Sequence, residues 1–224
     1  MLALAALKLS HGTTPTMPVS NVLLPPALIG FEHIKRGWDA RTRKSTAHLL
    51  PGQFYVTRHD EAIYTTLGSC VAACIRDRET GVGGMNHFML PFTPEMAEQR
   101  EWGSPAAMYG NYAMEHLINE IMKNGGARRN LEAKVFGGGR ILANMTDVGA
   151  RNVAFVHDYL AAEGFRVIAE DVGSVYPRIV IYHPANGDVL VKRVRSLHNQ
   201  VIVEQETKYL NTIGKPAQAE VDFF

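Results

Sequence analysis

Covalent chemistry on a carbonyl group needs a nucleophile, a proton acceptor and hydrogen-bond donors for the developing oxyanion, and Leu67-Gly68-Ser69-Cys70-Val71 offers two of the three. Gly68 can take backbone conformations closed to other residues, so it turns the chain sharply between two β-like runs and exposes the side chains that follow. Backbone N–H groups at such a turn suit an oxyanion. Taken alone, a cysteine at a strand start is more often a small core residue. A partner changes that reading. If Val71–Arg76 and Val82–Leu90 form a hairpin centred between Arg78 and Glu79, Cys70 stands directly opposite His87. Opposed residues have Cβ atoms about 4.5–5.5 Å apart, close enough for a thiol to meet an imidazole. A Cys–His pair generates a thiolate near neutral pH and returns a proton to the leaving group. Such a thiolate is expected to alkylate below the ordinary cysteine value of about 8.5.

Other chemistries fit less well. Cys70, Cys74 and His87 are a poor zinc set, because Cys-x3-Cys on one strand has the wrong spacing and a fourth ligand is lacking; no metal is expected. Gly137-Gly138-Gly139 lacks the lysine and spacing of a phosphate loop, and reads instead as a turn or a close backbone contact. Ser69 is not in a G-x-S-x-G elbow.

These residues must be held by a folded unit, and the chain is long enough for one. Its 224 residues, 46% hydrophobic and 20% charged, suit a single globular domain with extensions. A net charge of +1 argues against nucleic acid or a polybasic membrane-surface role. Two cysteines make no disulfide framework, and Leu2–Leu7 is too short for a membrane span, so the cytoplasm without direct membrane insertion is the expected setting. Residues 1–28, rich in proline, are expected to be a poorly ordered arm, and 29–50 a peripheral segment.

From residue 51 the pattern is regular. Strands are expected at Gln53–Thr57, Ala62–Leu67, Val71–Arg76, Val82–Leu90, Leu131–Phe136, Phe165–Asp171, Arg178–Tyr182 and Val189–Val194. One helix carries Met114, Leu117, Ile118, Ile121 and Met122 inward and stops at Asn124-Gly125-Gly126; a second starts near Thr146 or Asp147 and ends at Gly164. The fold class is α/β in the broad sense (α+β): a layered, mainly antiparallel sheet with two packed helices over residues 51–205. Residues 206–224 are expected to be a flexible tail, with Phe223 and Phe224 at its tip.

In these motifs the chain resembles the CheD family of chemoreceptor glutamine deamidases. The likeness is carried by Leu67–Val71, by Gly81–Pro91 with its Asn86-His87-Phe88, by Phe136–Gly139, by Gly149-Ala150-Arg151-Asn152-Val153 and by Ala169–Gly173. It implies a layered α/β fold and hydrolysis of glutamine side chains on the cytoplasmic domain of methyl-accepting chemotaxis receptors. No cofactor is implied. By position Cys70 matches the nucleophile and His87 the base. A threonine leading into Gly-Ser-Cys is the third group, here Thr65 or, next to it, Thr66. Gly68, Ser69 and Asn86 are the implied oxyanion and substrate-binding residues. Some relatives bind a CheC-type phosphatase, an implied second partner. Two rival classes are a CheD-like regulatory binding module without turnover and a thiol amidase acting on another protein. Ammonia release from a receptor fragment, against a free-glutamine control, separates them.

Overall fold

The computed structural model describes residues 23–91, 105–141, 148–194 and 199–213. The expected cap at Thr146 or Asp147 and the terminal phenylalanines lie outside these residues. Two five-stranded sheets and a pair of helices form three layers. The first sheet has the order β1 (Lys35–Asp39), β2 (Lys44–His48), β4 (Glu61–Leu67), β9 (Arg178–His183), β10 (Asp188–Arg193). The second runs β3 (Phe54–Thr57), β6 (Gly83–Asn86), β5 (Val71–Asp77), β7 (Leu131–Gly137), β8 (Val167–Val172). Most neighbours are antiparallel, as the short loops require; β2–β4 and β7–β8 are parallel. Thus the α+β layered class holds, with the 29–50 segment supplying two strands rather than lying outside the sheets.

α1 (Pro105–Lys123) and α2 (Val148–Ala162) cover the outer face of the second sheet. Met114, Leu117, Ile118 and Ile121 are the buried stripe of α1, and Val156, Tyr159 and Leu160 that of α2. Both helices stop at a glycine in the left-handed region, Gly125 (φ 105°) and Gly164 (φ 72°). The next N–H in each case, Gly126 or Phe165, reaches back to the carbonyl of Ile121 or Leu160.

β5 lies between layers, and this explains why nearly all of it is buried. Its even-numbered side chains face the first sheet: Arg76 donates to the carbonyls of Pro184 and Ala185 in the β9–β10 turn. Its odd-numbered side chains face the helices. A third helix, α3 (Asn199–Leu210), runs past residue 205, where the sequence reading closes the domain. Its Ile202, Glu206 and Leu210 are buried.

Candidate active site

The chain passes from the end of β4 in one sheet to the start of β5 in the other through Gly68-Ser69-Cys70. Three residues make this crossing, as three (58–60) make the one from β3 to β4, and the turn is fixed from behind. The carbonyl of Gly68 accepts from the Gly139 N–H at 2.7 Å, that of Cys70 from the Gly138 N–H at 2.7 Å, and that of Ser69 from Asn152 Nδ2 at 2.8 Å. With all three carbonyls tied back, the three N–H groups project together on the opposite side, which makes a small anion nest. Gly137 (φ 108°) permits this approach, since a Cβ there would stand 2.2 Å from the Cys70 carbonyl oxygen. Buried Arg178 supports the far side of the glycine turn, binding Asp171 and the carbonyls of Gly173 and Tyr176. The triple glycine is therefore a close backbone contact, and the Gly149–Val153 and Ala169–Gly173 motifs are its buttresses.

The nest is filled by Glu206 of α3. Its Oε1 accepts from the N–H of Gly68 at 2.8 Å and of Cys70 at 3.2 Å; its Oε2 accepts from the Ser69 N–H at 2.7 Å and the Ser69 hydroxyl at 2.6 Å. Gly68 does not use the backbone conformations closed to other residues; what it supplies is room, since a Cβ on it would lie 2.1 Å from Ile141 Cδ1 and 2.7 Å from Glu206 Oε2 and would push both side chains aside.

His87, just after β6, shares the first-sheet face with Cys70. Its Nδ1 lies 2.7 Å from Thr65 Oγ1, and Thr65 Oγ1 donates its single hydrogen to the Leu49 carbonyl at 3.0 Å. The hydroxyl must therefore accept from His87 Nδ1–H, which leaves Nε2 as the unprotonated nitrogen. Nε2 is buried and has no hydrogen-bond partner among the described residues. Burial holds the imidazole neutral, lowering its pKa from 6.5 to about 3. Cys70 Sγ, a His87 nitrogen and a Glu206 oxygen all lie within 4.8 Å of one another. With Nδ1 engaged by Thr65, Nε2 is the nitrogen left to receive the thiol proton.

These distances raise the question of a metal ion. The four hydrogen bonds to Glu206 use the lone-pair sites of its carboxylate, so hydrogen donors meet this group's needs and the set does not fit a divalent ion.

Three sequence expectations need correction. The hairpin pairs Arg76 with Gly83, Cys74 with Met85 and, beyond β6, Val71 with Phe88, so Cys70 is not directly opposite His87. The loop is Arg78–Gly81, closed by Asp77 N–H to the Val82 carbonyl, with the Asp77 carboxylate accepting from Glu79 and Thr80 and Gly81 at φ 75°. That centre lies one residue later than expected, which slips the pairing by two; an even slip keeps both side chains on one face, and the pair meets diagonally. Asn86, on the other face, does not reach the nest: Oδ1 accepts from the Ala73 N–H, and Nδ2 reaches the Ala113 carbonyl and Met114. Nor is Cys70 presented to solvent; burial and the Glu206 carboxylate push its thiol pKa well up.

Gly68 and Ser69 line the nest through their N–H groups. Of the two threonines, Thr65 reaches His87, whereas Thr66 Oγ1 lies beside Tyr64 OH. Cys74 is buried and remote from the nest, opposite Met85 and Lys134. Glu206 and Asn152 were missed. Asn152 lies within the Gly149–Val153 motif, whose spacing alone gives it no individual role. Glu206 had a signal: Ile202, Tyr209 and Leu210 mark a helical stripe, and Glu206 occupies an apolar position of it.

A family described as "CheD chemotactic sensory transduction" matches residues 89–193. A Halorhodospira halophila protein named "Probable chemoreceptor glutamine deamidase CheD" is 49% identical over 209 residues, 91% of this chain and 96% of its own length. Proteins of the same name from Hydrogenovibrio crunogenus and Saccharophagus degradans are each 48% identical, covering 80% and 92% of this chain and 94% and 96% of their own.

Proposed function

The chain belongs to the CheD family, and from that premise we propose that it hydrolyses glutamine side chains of methyl-accepting chemotaxis receptors to glutamate, with Cys70 as nucleophile and His87 as base. The observation that supports this reading most is the glutamate side chain seated in the nest beside Cys70 and His87. A glutamine carboxamide has the same shape, and its single oxygen would take the N–H donors that one Glu206 oxygen takes, those of Gly68 and Cys70 at the Oε1 position.

With a carboxamide in that position, His87 Nε2 takes the thiol proton and Sγ attacks the amide carbon. The Gly68 and Cys70 N–H groups, which converge on one oxygen position of the nest, hold the oxyanion; losing one such donor costs about 10²–10³ in rate in well-studied hydrolases. The imidazolium gives its proton to the departing nitrogen, ammonia leaves, and a glutamyl thioester remains. Water, deprotonated by Nε2, then cleaves the thioester to glutamate and free thiol. Thr65 is a positioning residue: through the Leu49 carbonyl it keeps Nδ1 protonated in both half-reactions. No cofactor takes part in these steps.

The reading places the reaction in the cytoplasm, on the cytoplasmic domain of the receptor, with a CheC-type phosphatase as a second partner. No helix among the described residues is long and apolar enough to cross a membrane. The test is ammonia release from a receptor fragment containing glutamine, with free glutamine as control. Release from the fragment alone is expected; release from neither, or equally from both, contradicts the reading.

A further inference from the structure

α3 presents Ile202, Glu206, Tyr209 and Leu210 inward, at helical spacing. Three of the four are suited to packing. The fourth is a carboxylate only 1% exposed. Burying a charge in an apolar stripe is costly unless it is fully hydrogen-bonded, and a leucine at 206 would pack without that cost. The partners of Glu206 identify why the acid is there: every one of its hydrogen bonds comes from Gly68, Ser69 or Cys70. These are the contacts of a ligand in a binding site. Farther along the helix, Tyr209 bonds to Tyr109 of α1 and lies over Gly52, whose N–H binds the His87 carbonyl. The helix thus covers the site across its width, and Cys70 and His87 are sealed beneath it, 0% and 1% exposed.

We infer that α3 is a tethered product mimic: Glu206 occupies the subsite for the reacting side chain, and the chain is latent until a second helix, bearing glutamine, displaces α3. The substrate identity rests on the proposed deamidation; the occupancy of the nest does not. The arm lengths agree, since glutamate is what deamidation of glutamine leaves behind and both side chains carry two methylenes between helix and nest. The displacing helix should bear apolar residues four before, three after and four after its glutamine, the places that Ile202, Tyr209 and Leu210 hold around Glu206. The thiol responds to the same movement. While α3 is docked, burial and, after it, the adjacent Glu206 carboxylate keep Cys70 protonated; withdrawal exposes the thiol, removes the negative charge and frees the N–H donors.

A single change turns the mimic into a substrate. In Glu206→Gln the carboxamide lies in the nest next to Cys70. Sγ forms a bond to its carbon, the C–N bond breaks, ammonia leaves with the proton relayed by His87, and one water converts the thioester to a carboxylate. The chain should therefore restore its own glutamate at position 206.

Three readouts on the full-length chain test this. Iodoacetamide should alkylate Cys70 at neutral pH at least about tenfold faster in Glu206→Ala than in the wild type, because reactivity scales with the fraction of open site. Intact mass and peptide mapping should find glutamate at 206 in purified Glu206→Gln, formed at a rate independent of protein concentration, and glutamine at 206 when Cys70→Ala is added. Ammonia release from a receptor fragment is followed in parallel. Equal alkylation of wild type and Glu206→Ala overturns the inference. So does a persistent glutamine at 206 in a chain whose wild type deamidates the fragment. Should alkylation accelerate while neither wild type nor Glu206→Ala acts on the fragment, α3 is the occupant and the deamidase reading fails. Glu206→Gln, nearly isosteric, keeps the test decisive where circular dichroism shows that Glu206→Ala has lost its fold.

Discussion

The proton on His87 is controlled by two atoms that never touch a substrate, the Thr65 hydroxyl and the Leu49 carbonyl. Thr65→Val removes the acceptor for Nδ1–H and leaves that buried group unsatisfied, at a cost of about 1–3 kcal/mol. Its activity should fall and its pH–rate profile shift, while Thr65→Ser restores both. Burial of His87 also sets an acid limit. An imidazole with a folded pKa of about 3 and an ordinary value of 6.5 binds more protons unfolded than folded between those values. The resulting stability is complete above about pH 6.5 and is lost as pH falls toward 3. A melting series should accordingly show a steeper acid decline for wild type than for folded His87→Asn. Equal slopes would place the acid sensitivity elsewhere. Cys70→Ala should abolish turnover with the fold kept, whereas Cys74→Ala, whose side chain is far from the nest, should retain most of it. Hairpin spacing made Cys70 and His87 legible as neighbours, while the threonine came only from the family resemblance. Glu206 was not legible, because a polar C-terminal stretch reads as solvated until its few apolar residues are placed on a helix.

Among the elements, the hairpin shows which errors a sequence argument survives. The loop centre was misplaced by one residue because Asp77 and Gly81 both belong to the turn, and their roles depend on side-chain capping and a left-handed φ. The slip was even, so the faces were unchanged and Cys70 still met His87. The presence and type of the strands and helices between Phe54 and Arg193 were legible for a simpler reason, since period-two and period-3.6 patterns are strong where one face is buried. The limits were less so, β6 stopping at Asn86 rather than Leu90 and β8 starting at Val167 rather than Phe165. The two sheets, and the crossing of the chain between them at Gly68-Ser69-Cys70, were not, since pairing between distant strands leaves no local mark. That crossing depends on its buttresses. Asn152→Ala frees the Ser69 carbonyl and the Leu90 N–H, which it holds at 2.8 and 2.9 Å. A fall in kcat by up to about 10²–10³, with a smaller change in KM, is expected if the Cys70 N–H loses its aim. A KM effect alone would make Asn152 part of substrate binding instead.

At the level of the whole molecule, the N-terminal boundary lies earlier than composition suggests. Leu28 and Phe31 are buried in the common core, Phe31 edge-on to Phe54 and Tyr55, and the Pro25 carbonyl accepts from Arg36. Deleting residues 1–28 should consequently lower the melting temperature, by the loss of about 1.5–3 kcal/mol for Leu28. The C-terminal side carries the larger consequence, since Glu206 of α3 joins two sheets' worth of catalytic groups into one closed site. The claim that unites these scales is that the nest, Cys70 and His87 convert a glutamine carboxamide to a carboxylate. Its most direct test is the intact mass of a glutamine-containing receptor fragment after incubation with wild type, Glu206→Ala and Cys70→Ala chains. The account predicts an amide-to-acid gain at defined glutamines with the first two, faster with Glu206→Ala, and none with Cys70→Ala. An unchanged fragment with both of the first two, or an equal gain with Cys70→Ala, would contradict it.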